Sequence, residues 1–164
     1  MEALAPGQVA WGAPGCHIIA AVMERPKRRI EAVTQLGGEG LPWIGLAPYC
    51  SRPHVVQNLG DGALFHSSYQ NIRFAVAAGV NITYKILYND AVAMTGGQPH
   101  DGPLSPLTIL NQVVAEGVKK VCVITDEPAK YEGIALPANC PVYHRERLDE
   151  IQREFREVQG CSII

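Results

Sequence analysis

The chain has 164 residues, 47% of them apolar and 18% charged, with a formal net charge of −2. That is enough chain for one globular domain with a sizeable core, and it is not the composition of a disordered segment. The near-neutral balance gives no electrostatic reason for a nucleic-acid partner, and no apolar run is long enough to cross a bilayer.

Met1 to Ala10 lacks the basic-then-apolar order of a signal peptide, so a cytoplasmic protein with no membrane partner is expected. Residues 1–15 are rich in Gly, Ala and Pro without a period and read as a flexible lead-in. Cys16 to Glu24 is apolar enough for a short helix stopped by Arg25-Pro26. Neighbouring Cys16 and His17 suggest a metal site only if further ligands join them, and none is evident nearby. Arg25, Lys27, Arg28 and Arg29 crowd positive charge around Pro26; with no basic surface to extend them, they read as a solvated loop. Five cysteines (Cys16, Cys50, Cys122, Cys140, Cys161) are widely spread with no Cys-x-x-Cys, a pattern that fits reduced thiols and no iron–sulfur cluster on this chain.

Gly37-Gly38-Glu39-Gly40 permits unusual backbone angles and close approach of a ligand. Glu39 either touches that ligand or is an exposed acid in a turn. His54-Val55-Val56 then opens a strand, Asn58-Leu59-Gly60-Asp61-Gly62 a glycine turn, and Ala63 to Ala78 a helix ended by Gly79. A diphosphate would sit well at such a turn, where glycines and unpaired helix N–H groups meet an anion. Asp61 would repel it unless a cation bridges the two. A Mg2+ ion needs more oxygen ligands than one aspartate, and the next oxygen-rich spot, Asn89-Asp90, follows the β-rich run Ile82 to Tyr88. Strand, helix and strand in this order predict a right-handed βαβ unit with both motifs at the carboxyl edge of a parallel sheet. His66 either looks into that site or is a surface histidine.

Thr95 to Pro106 is a long loop after a ligand-bearing strand, the kind that carries function. A helix over Leu107 to Glu116 capped by Gly117, a buried strand over Val118 to Asp126, a short strand over Pro141 to Tyr143 and an amphipathic helix over Arg147 to Val158 complete the pattern. Leu148, Ile151 and Phe155 share one face of that last helix. Asp126-Glu127 reads as a turn or helix start, because Pro128 follows immediately. Cys161-Ser162-Ile163-Ile164 has the form of a prenylation box, a reading set aside in favour of a strand.

Gly60-Asp61-Gly62 followed at this spacing by Asn89 resembles the thiamine-diphosphate and Mg2+ motif. The continuation to Thr95-Gly96-Gly97-Gln98 resembles the 2-oxoacid:ferredoxin oxidoreductases, and Asn81 to Pro99 is most similar to their indolepyruvate branch. The likeness runs from about Gly15 to the end. It implies an α/β fold, a doubly wound mostly parallel sheet with helices on both faces, in which residues 16–164 form the diphosphate-side domain. It further implies that Mg2+ is held by the Asp61 carboxylate, the Asn89 side-chain oxygen and the Ala91 carbonyl. Gly60, with the Gly62 and Ala63 N–H groups, would cradle the phosphates. The Gly38-Glu39 loop would face the cofactor, with Leu36 where the family has methionine, Gly15-Cys16-His17 would lie close by, and Thr95, Gly96, Gly97 and Gln98 would close over it.

The implied activity is oxidative decarboxylation of aryl pyruvates to acyl-coenzyme A. Electrons would pass to iron–sulfur clusters on partner domains or subunits of an oligomer, and then to ferredoxin. The activating glutamate of such enzymes lies on a pyrimidine-side domain, for which no segment is found here. No catalytic residue is therefore assigned, and the chain alone should not turn over. The alternative is a non-catalytic remnant or assembly module that retains the fold. A nicotinamide-binding Rossmann domain is disfavoured, since the third glycine of its fingerprint is missing.

Overall fold

The computed structural model describes residues 8–19 and 30–164. The second half of the expected Cys16–Glu24 helix and the basic cluster Arg25, Lys27, Arg28 and Arg29 lie outside the described residues; Cys16–Ile18 forms one tight turn. In chain order the described strands are β1 (Val9–Gly12), β2 (Ala32–Val33), β3 (Val55–Gly60), β4 (Ile82–Leu87), β5 (Lys120–Val121), β6 (Val123–Thr125), β7 (Val142–His144) and β8 (Cys161–Ile163). The helices are α1 (Leu41–Leu46), α2 (Asp61–Ala63), α3 (Tyr69–Ala78), α4 (Pro106–Ala115) and α5 (Leu148–Phe155). A wide π turn, Leu64–Ser68, joins α2 to α3 in one continuous helical run.

Six strands form a parallel sheet in the order β2-β1-β3-β4-β8-β5, and β6 and β7 form a parallel pair of their own. β3 and β4 pair along their full length, from Val55 opposite Ile82 to Gly60 opposite Leu87. Their carboxyl ends therefore stop level, which is what brings the two glycine- and asparagine-bearing turns to one edge. The expected helix between them is present and ends at Gly79, whose φ of 67° is the left-handed C-cap conformation that glycine adopts without strain.

One face of the sheet packs Val55, Leu59, Ile82, Tyr84 and Ile163 against α1 to α4, with Trp11 edge-on to Trp43 at 6.3 Å. The other face is covered by α5 through Ile151 and Phe155. Beneath α5 lies a polar seam: His54 Nε2 meets Thr83 Oγ1 at 2.8 Å, and Thr83 Oγ1 meets Ser162 Oγ at 2.9 Å and the Phe155 carbonyl at 3.3 Å. Arg73 and Tyr69 on α3 both bond Glu116 at the end of α4, at 2.6 and 2.8 Å, tying the two helices together.

Three expectations are corrected. Among the described residues the sheet begins at Val9 and not after residue 15: β1 lies between β2 and β3, with Ala10 and Trp11 buried. A strand covered on both faces shows no apolar alternation, so only its Gly/Ala/Pro flanks were conspicuous. The strand expected over Val118 to Asp126 is split at Cys122: its first half pairs with β8 and its second half with β7. Ile164 bonds Tyr84 and Ile86, and an apolar cavity of about 290 Å3 is lined by the last residues of β4 and by β6. Leu148 lines that cavity and stays partly exposed, leaving Ile151 and Phe155 as the buried stripe of α5.

Candidate functional site

At the carboxyl edge of β3, Gly60 is extended and Asp61 begins the helical run. The Asp61 side chain turns back beneath the turn that follows β4. Its Oδ2 accepts the backbone N–H groups of Asn89 and Asp90, each at 2.8 Å, and its Oδ1 accepts that of Gly62 at 2.9 Å. Asp61 is only 3% exposed, so these donors are what make a buried carboxylate tolerable. Asp90 takes a positive φ of 59°, the conformation that points two successive amides at one acceptor. Asn89 Oδ1 in turn accepts the Ala91 N–H at 3.2 Å, which fixes the side-chain oxygen beside the same turn.

A cleft of about 280 Å3 opens at this edge. Of the residues singled out from the sequence, Gly60, Asp61, Gly62, Ala63, Asn89, Ala91 and Thr95 line it, as do Cys16, His17 and His66. The structure thus brings together the metal and phosphate candidates. Its remaining wall is apolar, built from Pro14, Leu36, Leu87, Val92, Ala93 and Met94. His17 Nε2 accepts the Ala13 N–H at 3.3 Å, and burial, followed by the charge of Lys85, holds its pKa below the usual value. It presents a neutral imidazole to the cleft. Tyr88 is pushed up to about 12, first by burial and then by its bond to Asp90 and the nearby carboxylates of Asp90 and Asp61.

Other candidates are placed elsewhere. Glu39 is neither a cleft residue nor an exposed acid: it is fully buried, and its Oε2 accepts Ser68 Oγ at 2.5 Å from the π turn. Gly38 is buried beside it and gives its carbonyl to the Leu41 N–H. The Gly-rich loop is drawn inward because Gly40 seats on Tyr84. With φ of 84°, a Cβ at Gly40 would stand 2.0 Å from Tyr84 Oη. Gly96, Gly97 and Gln98 are exposed and fold on themselves, Val92 N–H to Gln98 O at 2.8 Å and Gln98 Nε2 to Thr95 Oγ1 at 2.5 Å, so that only Thr95 reaches the cleft wall. One residue at this edge went unmarked in the sequence. His100, inside the Pro-rich loop, has its side chain buried, with Nε2 3.5 Å from Asp61 Oδ2; nothing in its neighbours distinguished it from a surface loop histidine.

The candidate donors expected from the sequence, the Asp61 carboxylate, the Asn89 amide oxygen and the Ala91 carbonyl, belong to residues that line this cleft beside the glycine turn. Among the described residues no group of three or more His, Cys, Asp or Glu side chains is placed to hold a metal. This hard, sparse oxygen set fits Mg2+ that takes the rest of its shell from phosphate, and does not fit zinc or iron. Residues 13–164 match the family described as thiamine pyrophosphate enzyme, C-terminal TPP binding domain. The chain belongs to that family. No curated protein matches it. Among solved structures this TPP binding domain is similar to 2-oxoglutarate:ferredoxin oxidoreductase from Magnetococcus marinus, at 17% identity and a TM-score of 0.73 over 99% of this chain and 56% of that one. It is also similar to benzoylformate decarboxylase from Polynucleobacter necessarius, at 19% identity and 0.63, over 99% of this chain and 30% of that one. At these identities the likeness concerns the fold. The TPP binding domain spans little more than half of the first of these chains and under a third of the second.

Proposed function

We propose that this TPP binding domain is the diphosphate-side domain of a 2-oxoacid:ferredoxin oxidoreductase of the indolepyruvate type, holding thiamine diphosphate through Mg2+. The observation that supports it most directly is the Asp61 carboxylate locked to the Asn89-Asp90 turn at the mouth of the cleft. Asp61, the Asn89 side-chain oxygen and the Ala91 carbonyl would hold the cation, and the helix start at Gly62 and Ala63 would meet the diphosphate. When bound, thiamine diphosphate supplies the electron sink for loss of carbon dioxide from a 2-oxoacid.

The chain's own contribution is to bind and orient. The wall of Leu36, Leu87 and Met94 offers apolar contact beside the polar end of the cleft, and the neutral His17 offers a ring N–H without adding a charge. The pyrimidine-side domain, the iron–sulfur centres and coenzyme A would come from partner domains or subunits, with ferredoxin as the electron acceptor and an aryl pyruvate as the substrate.

Calorimetric titration with thiamine diphosphate and Mg2+ tests the binding half. The wild-type chain should release heat and Asp61→Ala should not; equal heats, or none from either, favour an assembly module that only retains the fold. Indolepyruvate decarboxylation tests the other half. The purified chain should be inactive alone, and robust turnover by it would contradict the need for a second domain.

A further inference from the structure

We infer that His100 is a positioning residue for the Asp61 carboxylate: its Nε2–H closes on Oδ2 and leaves Oδ1 as the oxygen that faces the divalent cation. The inference rests on the cofactor reading above and assigns a role to a residue that neither the glycine turn nor the Asn89 turn contains.

His100 is out of place for a loop residue. Pro99, Asp101 and Pro103 around it are exposed, yet its side chain is 3% exposed. Neither ring nitrogen has a hydrogen-bond partner, although a buried imidazole without one costs about 1–3 kcal/mol. The loop is drawn inward by Phe65. That ring lies 5.8 Å from the imidazole at a 34° tilt, and it leaves so little room that a Cβ at Gly102 would stand 2.7 Å from its Cζ. The packing therefore aims the imidazole at the glycine turn, where a Cβ at Gly62 would come within 3.8 Å of Cε1.

What it meets there is one oxygen of Asp61. Oδ2 already accepts the Asn89 and Asp90 amides, and His100 Nε2 stands 3.5 Å away; Oδ1 accepts only Gly62. An approach of about 0.5 Å brings Nε2 within hydrogen-bond range. With three donors gathered on Oδ2, the lone pair left for a cation is on Oδ1, and the carboxylate is held for one-point attachment. Groups that hold a metal ligand from behind in this way commonly contribute about ten- to a hundredfold to metal affinity.

The experiment is Mn2+ uptake in the presence of thiamine diphosphate, read as loss of the free-ion paramagnetic resonance signal, which needs no turnover. His100→Leu fills similar space against Phe65 without a donor, and His100→Gln keeps an N–H donor near Nε2. Affinity should fall about tenfold in His100→Leu and return to within about threefold of wild type in His100→Gln. The thermal midpoint of the metal-free His100→Leu chain should not fall, since it removes an unpartnered polar ring. Should it fail to fold, His100→Asn, whose shorter amide stops short of Oδ2, should show the same tenfold loss. Equal affinity in wild type and the donor-less variant, or no rescue by His100→Gln, overturns the inference alone. Absence of Mn2+ uptake by the wild-type chain overturns the cofactor reading and this inference with it.

Discussion

The Asn89 amide donates to Asp61 Oδ2 at 2.8 Å across 28 residues of sequence, and it does so at the one edge where β3 and β4 end level. Asp61 is therefore a fold-closing residue as well as a ligand candidate. Asp61→Ala should strip the acceptor from three backbone N–H groups and cost about 2–3 kcal/mol of stability before any cofactor is considered. Urea unfolding of the cofactor-free chain checks this; an unchanged midpoint would mean that water replaces the carboxylate without loss.

Gly40→Ala should be among the most damaging single substitutions. The new methyl group would meet Tyr84 Oη at 2.0 Å, in a backbone conformation of φ 84° that alanine resists. A loss of about 3 kcal/mol or more is expected, read as a lowered unfolding midpoint or insolubility. Tyr84→Phe alone should cost about 1 kcal/mol, because the hydroxyl donates to the Glu39 carbonyl at 3.2 Å. Combined with Gly40→Ala it should recover part of the loss, and strict additivity would show that the hydroxyl is not the obstacle.

Acid should weaken the fold in two stages. Burial pushes the His54 pKa from 6.5 down to about 4, so between those values the unfolded chain takes up a proton that the folded chain refuses. Stability should therefore fall as pH drops through that window, by at most about 3 kcal/mol from His54, with His17 adding to the slope. Glu116, held down to about 2 by Arg73 and Tyr69, loses its contribution only as pH falls from about 4.5. His54→Gln should flatten the dependence between pH 4.5 and 6.5; an unaltered slope would assign it to another group.

Thiol labelling should divide the five cysteines. Cys16 and Cys50 are exposed, whereas Cys122, Cys140 and Cys161 are buried, and burial pushes Cys122 and Cys161 up to about 12. Two thiols should react in the native chain and three only after unfolding. Cys16 lines the cleft, so thiamine diphosphate with Mg2+ should slow its labelling and leave that of Cys50 unchanged. Equal protection of both would point to a global change and not to occupancy of the cleft.

The part of the fold legible in the sequence is the part written in local chemistry. Glycines and a β-branched run announced the β3–helix–β4 unit, and Asn89 at a strand end announced its partner turn. β1 was hidden because a doubly covered strand carries no alternation, and the break at Cys122 because its two halves take different partners, β8 and β7, from distant parts of the chain. Glu39 was misplaced for a related reason. Its burial follows from the fit of Gly40 on Tyr84 and from Ser68 reaching it out of the π turn, and both are contacts between distant segments. His100 gains its position from Phe65, again through packing alone.

The seat of β8 has a practical corollary. It lies between β4 and β5 and is the neighbour through which β5 joins the six-stranded sheet. Removing residues 161–164 would therefore cut β5 adrift and bare the flank of β4, a combination that invites aggregation. A version shortened at Gly160 should be recovered as an insoluble product, so any trimming of this domain for laboratory work is better confined to other parts of the chain.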